Sequence, residues 1–156
     1  LGRDLKLVLE PGRFISGNSG ILVTKVIYRK AATAKSFAIV DAGMNDLIRP
    51  SLYGAYHEIL PVSKRAGSST EVIDIVGPVC ESGDFLAKNR KMPKLLVGDL
   101  IAVMSSGAYG FVMSSNYNSR PRVPEVVVRG NKFFVARRRE SREDLVRNER
   151  IVSAVL

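Results

Sequence analysis

Short runs rich in β-branched residues recur along this chain, at 5–9, 21–28, 37–40, 72–76, 100–104, 126–128 and 133–135. Between them lie Gly, Pro, Ser, Asn and Asp, which make turns by supplying a positive φ, a preset φ or a side chain that bonds its own backbone. This alternation predicts a mainly β fold, an antiparallel Greek-key-like barrel or sandwich with short helices. The clearest hairpin runs from Glu125 to Val135, with Gly130-Asn131 supplying the positive φ angles of a two-residue turn. Gly98-Asp99 punctuates the start of the run at 100–104. Ser141-Arg-Glu-Asp144 resembles a capping box opening a short helix, with Glu143 and Arg147 spaced to pair four residues apart. The stretch 19–26 fits a helical turn or a strand, and periodicity does not decide.

A chain of 156 residues, 46% hydrophobic and 25% charged, is long and apolar enough to bury one domain's core and is no disordered tail. No apolar run approaches the ~20 residues of a membrane helix, and no signal peptide opens the sequence. The lone Cys80 excludes an internal disulfide framework and points to a reducing, cytoplasmic setting. The net charge of +9 invites an anionic partner. Its distribution argues against nucleic acid, because residues 119–150 mix ten basic with five acidic side chains and hold only +5 of it. Arg137-Arg138-Arg139 runs straight into Glu140, Glu143 and Asp144, a mixed-sign surface.

The run at 5–9 poses a separate problem. An apolar strand ending in the polar turn Glu10-Pro11-Gly12-Arg13 is how a buried parallel strand delivers side chains to a site, and it needs neighbours. It reads as the last strand of a preceding domain, with residues 1–18 closing that domain and 19–156 forming the β domain.

Four clusters carry chemistry. Glu10-Pro11-Gly12-Arg13 places a guanidinium on a turn where Gly12 lets a ligand approach the backbone. Arg49-Pro50-Ser51-Leu52-Tyr53 sets an arginine fork four residues before a phenol, a pair suited to a carboxylate or phosphate. Cys80-Glu81-Ser82-Gly83-Asp84 holds a thiol and two carboxylates in one turn. Ser105-Ser106-Gly107-Ala108-Tyr109-Gly110 is a small-residue loop with one phenol and no P-loop ending. Taken singly each has a plain reading: Arg-Pro as a surface turn, Cys80 as a small core residue, Asp84 as a turn-bonding side chain, and His57 as a packed core group. No Cys/His cluster has metal-ligand spacing.

Together and in order, these motifs resemble the C-terminal part of diaminopimelate decarboxylases, in the alanine-racemase-like branch of pyridoxal-phosphate decarboxylases. The likeness runs through Leu-Glu-Pro-Gly-Arg13, Phe37-Ala-Ile-Val-Asp-Ala-Gly-Met-Asn45, Arg49 through His57, Gly77 through Asp84, Gly98-Asp-Leu100 and Gly107-Ala-Tyr-Gly110. It implies conversion of meso-diaminopimelate to L-lysine and carbon dioxide with pyridoxal phosphate. It also implies that Glu10, Pro11, Gly12 and Arg13 lie at the cofactor phosphate, with Arg13 reaching the substrate. Arg49 and Tyr53 would hold the distal carboxylate, Glu81 would receive the distal ammonium, and Cys80 would return the proton. An ordinary thiol is mostly protonated at neutral pH and can do so. Tyr109 would touch phosphate or substrate. The resemblance further implies a homodimer whose Cys-Glu pair reaches across to the second subunit's site, with no metal, membrane or nucleic-acid partner. The family's cofactor-bearing lysine sits in a (β/α)8 barrel of ~250 residues, which this chain does not contain. On this reading the chain alone is inactive. The alternatives are a sister decarboxylase of another basic amino acid, a basic barrel that binds nucleic acid, and a free-standing regulatory subunit.

Overall fold

A computed structural model describes residues 5–31 and 35–152. Along them lie α1 (Arg13–Ser16), β1 (Leu22–Ala31), β2 (Ser36–Val40), α2 (Arg49–Tyr53), β3 (Ile59–Pro61) and β4 (Thr70–Val76). These are followed by β5 (Phe85–Pro93), β6 (Leu100–Val103), β7 (Glu125–Arg129), β8 (Lys132–Arg137) and α3 (Arg142–Val146). Six strands form one curled sheet in the order β3-β6-β1-β2-β4-β5, and β7-β8 stands as a separate hairpin. Residues such as Val26, Val40, Ile73, Ile75, Leu86, Ile101 and Val103 alternate onto one face of the large sheet and are fully buried there. They form the core with Leu47 and Leu95 from the connections.

The mainly β architecture follows the punctuated pattern, with one correction. Every pairing is antiparallel except β2 with β4, which run parallel, so the sheet is mixed. Parallel neighbours cannot be joined by a tight turn and need a long crossover. Residues 41–69 make that crossover, and it carries both α2 and β3. The one irregular pairing is thus what creates room for the Arg49 helix.

Other expectations shift locally. Residues 5–9 form no strand: Leu5, Leu7, Val8 and Leu9 are exposed and pair with no other segment among the described residues. The stretch 19–26 resolves into a 3-10 turn (Gly17–Ser19) feeding β1. The hairpin turn is found at Gly130-Asn131, but only Gly130 takes a positive φ, +60°, which matches the two-residue turn that puts glycine first. The capping box at Ser141 is formed, the Ser141 N–H donating to Asp144 at 2.8 Å and the Asp144 N–H to the Ser141 hydroxyl at 3.3 Å. Arg147 pairs with Asp144, three residues back, and not with Glu143. Asp144 is already fixed at the helix start by its cap, so the arginine meets a preorganised carboxylate.

The basic C-terminal stretch is knitted to acids, with Arg122 on Glu140 and Arg137 on Glu125. No helix among the described residues is long and apolar enough to cross a membrane.

Candidate active site

The site begins at α2. Pro50 near its start presets helical backbone, and Gly54 ends it in the left-handed region with φ +60°. A single helical turn therefore spans Arg49–Tyr53, and residues four apart share its face. The Arg49 guanidinium lies 5.4 Å from the Tyr53 ring centre and 5.5 Å from that of Tyr109, a cation between two phenols. Its Nε is buried and has no hydrogen-bond partner among the described residues. An orphaned guanidinium donor is costly to bury, and an acid arriving here would relieve that cost.

Tyr109 arrives from a loop that glycines let close onto the chain after α1. A Cβ on Gly107 would lie 2.2 Å from the Ser16 carbonyl, and one on Gly20 would lie 2.7 Å from the Gly107 Cα. The N–H groups of Ser106 and Gly107 donate to the carbonyls of Gly20 (2.8 Å) and Gly17 (3.0 Å), and the Ser105 hydroxyl to Asn18 (2.7 Å). Tyr109 itself is held at φ +57°, a conformation side chains avoid and surroundings must enforce. The result sets its hydroxyl beside Gly12: a Cβ there would stand 3.6 Å from the oxygen. Glycine backbone, phenol and the neighbouring Arg13 form a notch of the right chemistry for a phosphate. Glu10 and Pro11 are exposed and enter no hydrogen bond or ion pair among the described residues.

His57 is 1% exposed and donates from Nδ1 to the Met104 carbonyl at 2.8 Å. Burial, reinforced by the positive field of Arg13, Arg49 and Arg90, drives its pKa below the ordinary value and keeps it neutral. Its Nε2 has no partner among the described residues. The histidine packs as a core group while sharing its surroundings with two arginines of the motifs.

The second region is the turn at Cys80–Asp84. Asp84 is buried and accepts the N–H groups of Met44 (2.7 Å) and Val79 (2.6 Å), so its turn-bonding reading is the correct one. A Cβ on Gly77 would fall 2.3 Å from its carboxylate oxygens, and one on Gly43 would fall 3.0 Å away. Gly83 abuts Ser51 of α2, where a Cβ would come within 2.7 Å of the hydroxyl. The turn is thus rigid and docked against α2. Cys80 and Glu81 are nevertheless both exposed. No hydrogen bond, ion pair or cation–π contact joins them to Arg13, Arg49, Tyr53 or Tyr109 among the described residues.

The motif reading missed Tyr117, whose hydroxyl donates to Glu81 at 3.2 Å, and the arginines around it. A tyrosine in a polar loop carries no local signal for a contact so distant in sequence. A separate cavity of about 500 Å³ opens between the edges of β3 and β5, lined by Tyr56, Arg90 and Met92 among others. None of Glu10–Arg13, Arg49, Tyr53, Cys80, Glu81 or Tyr109 borders it, although Tyr56 and Asp99 of the motif segments do. Among the described residues no group of three His, Cys, Asp or Glu is placed to hold a metal ion.

Residues 13–107 match the family described as pyridoxal-dependent decarboxylase, C-terminal sheet domain. The chain is 57% identical over 143 residues to the diaminopimelate decarboxylase of Vibrio cholerae, covering 92% of this chain and 34% of that one. It is 52% identical over 151 residues to the enzyme of the same name from Archaeoglobus fulgidus, covering 97% of this chain and 36% of that one. The crystal structure of diaminopimelate decarboxylase from Helicobacter pylori complexed with L-lysine superposes with a TM-score of 0.82 at 49% identity, over 94% of this chain and 36% of that one. The chain spans about a third of the length of the curated relatives it matches.

Proposed function

The chain belongs to the pyridoxal-dependent decarboxylases, as their C-terminal sheet domain, and we propose that it serves a diaminopimelate decarboxylase by reading the substrate's distal end. The observation that carries this reading is the Arg49 guanidinium between two phenols, with a buried Nε awaiting a partner. Relatives above 50% identity bear that enzyme's name, and one solved neighbour holds L-lysine.

Gly12, Arg13 and Tyr109 would hold the phosphate of pyridoxal phosphate, with Glu10 and Pro11 shaping the turn. When bound, that group supplies an electron sink that lets a carboxylate leave. Arg49 and Tyr53 bind the carboxylate at the far end of meso-diaminopimelate, a planar acid meeting a planar fork and a phenol. Arg13 orients the near end. Cys80 and Glu81, exposed on a rigid turn, reach into the site of a second subunit in a twofold homodimer. There Glu81 takes the distal ammonium, and the Cys80 Sγ returns a proton to the substrate carbon.

Residues 1–18 close a (β/α)8 barrel in this reading, and 19–156 form the β domain. The exposed apolar side chains at 5–9 suit a strand whose neighbours belong to that barrel. The exposed, unpaired thiol suits a cytoplasmic setting. No lysine here lies in a motif like the one that carries the cofactor, so the 156-residue chain alone is expected to release no carbon dioxide.

The test is carbon dioxide release by the full-length natural protein with pyridoxal phosphate, offered meso-diaminopimelate, lysine, ornithine or arginine. Turnover of the first alone is expected. Arg49→Lys, which keeps charge and loses the fork, should raise KM about 10- to 100-fold, the size expected for loss of a charge-assisted contact. Comparable turnover of ornithine or arginine would assign the chain to a sister decarboxylase.

A further inference from the structure

Glu81 is exposed, and an exposed glutamate samples many rotamers unless something selects one. One hydrogen bond does so here: the Tyr117 hydroxyl donates to its Oε2 at 3.2 Å. Oε1 has only a long 3.5 Å contact to the Gly83 N–H and stays available to a cation. The negative charge of Glu81 pushes the Tyr117 phenol above its ordinary value, so it remains a protonated donor.

Tyr117 is held there at a cost in the backbone. The two residues after it, Asn118 and Ser119, both take left-handed φ angles, +59° and +54°. Consecutive non-glycine residues in that region persist only where their surroundings enforce them, and such strain gathers at functional positions. The enforcement is visible on both sides. Arg120 donates to the Asn45 side chain (2.9 Å) and the Asp41 carbonyl (2.6 Å), and lies 3.8 Å from the buried Asp46 carboxylate. Glu140 accepts from the Asn116 side chain (2.7 Å) and from the Arg122 N–H (2.8 Å), and pairs with the Arg122 guanidinium. The turn bearing Tyr117 is therefore clamped between the 41–46 loop and Glu140.

We propose that Tyr117 is a positioning residue, its hydroxyl holding the Glu81 carboxylate in the rotamer that meets the substrate's distal ammonium. The proposal rests on the assignment of Glu81 to that ammonium. A preset carboxylate binds the cation without first losing side-chain freedom, so the hydroxyl acts on substrate affinity and not on the chemical step.

The test is a double-substitution cycle in the full-length natural protein loaded with pyridoxal phosphate, read as KM and kcat on meso-diaminopimelate. Tyr117→Phe removes one oxygen from a ring that is 47% exposed, so the fold is not at stake. It should raise KM about three- to tenfold, as expected for an exposed hydrogen bond to a charged group, and leave kcat within about twofold. In a Glu81→Gln background the same change should move KM by less than about twofold, because its only target has been altered. An equal rise in both backgrounds would make Tyr117 a structural residue and overturn the proposal. So would an unchanged KM in Tyr117→Phe while Glu81→Gln raises it. If Glu81→Gln itself leaves KM unchanged, the ammonium assignment falls, and the positioning role falls with it.

Discussion

The notch around Arg49 and the turn at Cys80 solve opposite problems with similar means. Both are locked by glycines where a side chain would collide or crowd, Gly20 and Gly107 in one case, Gly77 and Gly43 in the other. Both touch α2, one through its Arg49 end and the other through Ser51. Yet the notch turns its charge inward, sandwiching a guanidinium and burying its Nε, whereas the turn buries only Asp84 and offers Cys80 and Glu81 outward. On the proposed function, the difference is how one chain builds two halves of a site that it does not itself unite. The inward half would then await a ligand, and the outward half another subunit.

That contrast breaks most visibly at Cys80. In the full-length enzyme Cys80→Ala should lower kcat about 10²- to 10⁴-fold with little change in KM, the span typical of a lost proton donor. Wild-type turnover would remove the outward half from the chemistry. Next comes the scaffold of that half. Asp84→Ala leaves the Met44 and Val79 N–H groups unpaired, and should cost about 2–4 kcal/mol in a thermal or denaturant melt. Its effect on activity should follow the fold, unlike that of Cys80→Ala. A stable Asp84→Ala protein would show that the turn is held by something other than its carboxylate.

The smallest effects concern protons. The folded His57 has a pKa below 6.5 while the unfolded chain titrates near 6.5. As pH falls from about 7 to 5 the unfolded state gains a proton that the native state resists, so stability should decline over that window. His57→Gln should flatten the decline, and an unchanged slope would mean that His57 protonates freely in the fold. Glu140 is held down to about 2, chiefly by the Arg122 side chain and then by the Arg122 N–H. Its contribution is complete above about 4.5 and lost as pH drops through about 2. Glu140→Gln should weaken the brace around Tyr117 by a small margin at pH 7 and lose its extra effect at pH 2.

Much of this was legible in the residues. The β-branched runs at 37–40, 72–76 and 100–104 are strands because such side chains pack well on a pleated, half-buried surface. The sequence set Arg49 four residues before Tyr53, but only the structure makes that segment a helical turn with both on one face. β5 was hidden because Phe85–Pro93 is rich in Lys, Arg and Asn, with Asn89 at φ +53° beside a break in the β4 register. β3 is three residues long and ends in proline. The parallel register of β2 on β4 is a tertiary choice with no local signal. Tyr117 and Arg120 escaped notice for the same reason, since their partners Glu81 and Asn45 lie far away in sequence.

The central claim, one site built from two copies of this chain, is tested most directly by mixing two disabled full-length proteins. Arg49→Ala spoils the inward half and Cys80→Ala the outward half. Co-expressed in equal amounts, half of the dimers are hybrids, each with one site free of both substitutions. About a quarter of wild-type carbon dioxide release from meso-diaminopimelate should then return. No activity above that of the two parents, with hybrid dimers shown to form, would contradict the claim and place both halves of the site within a single subunit.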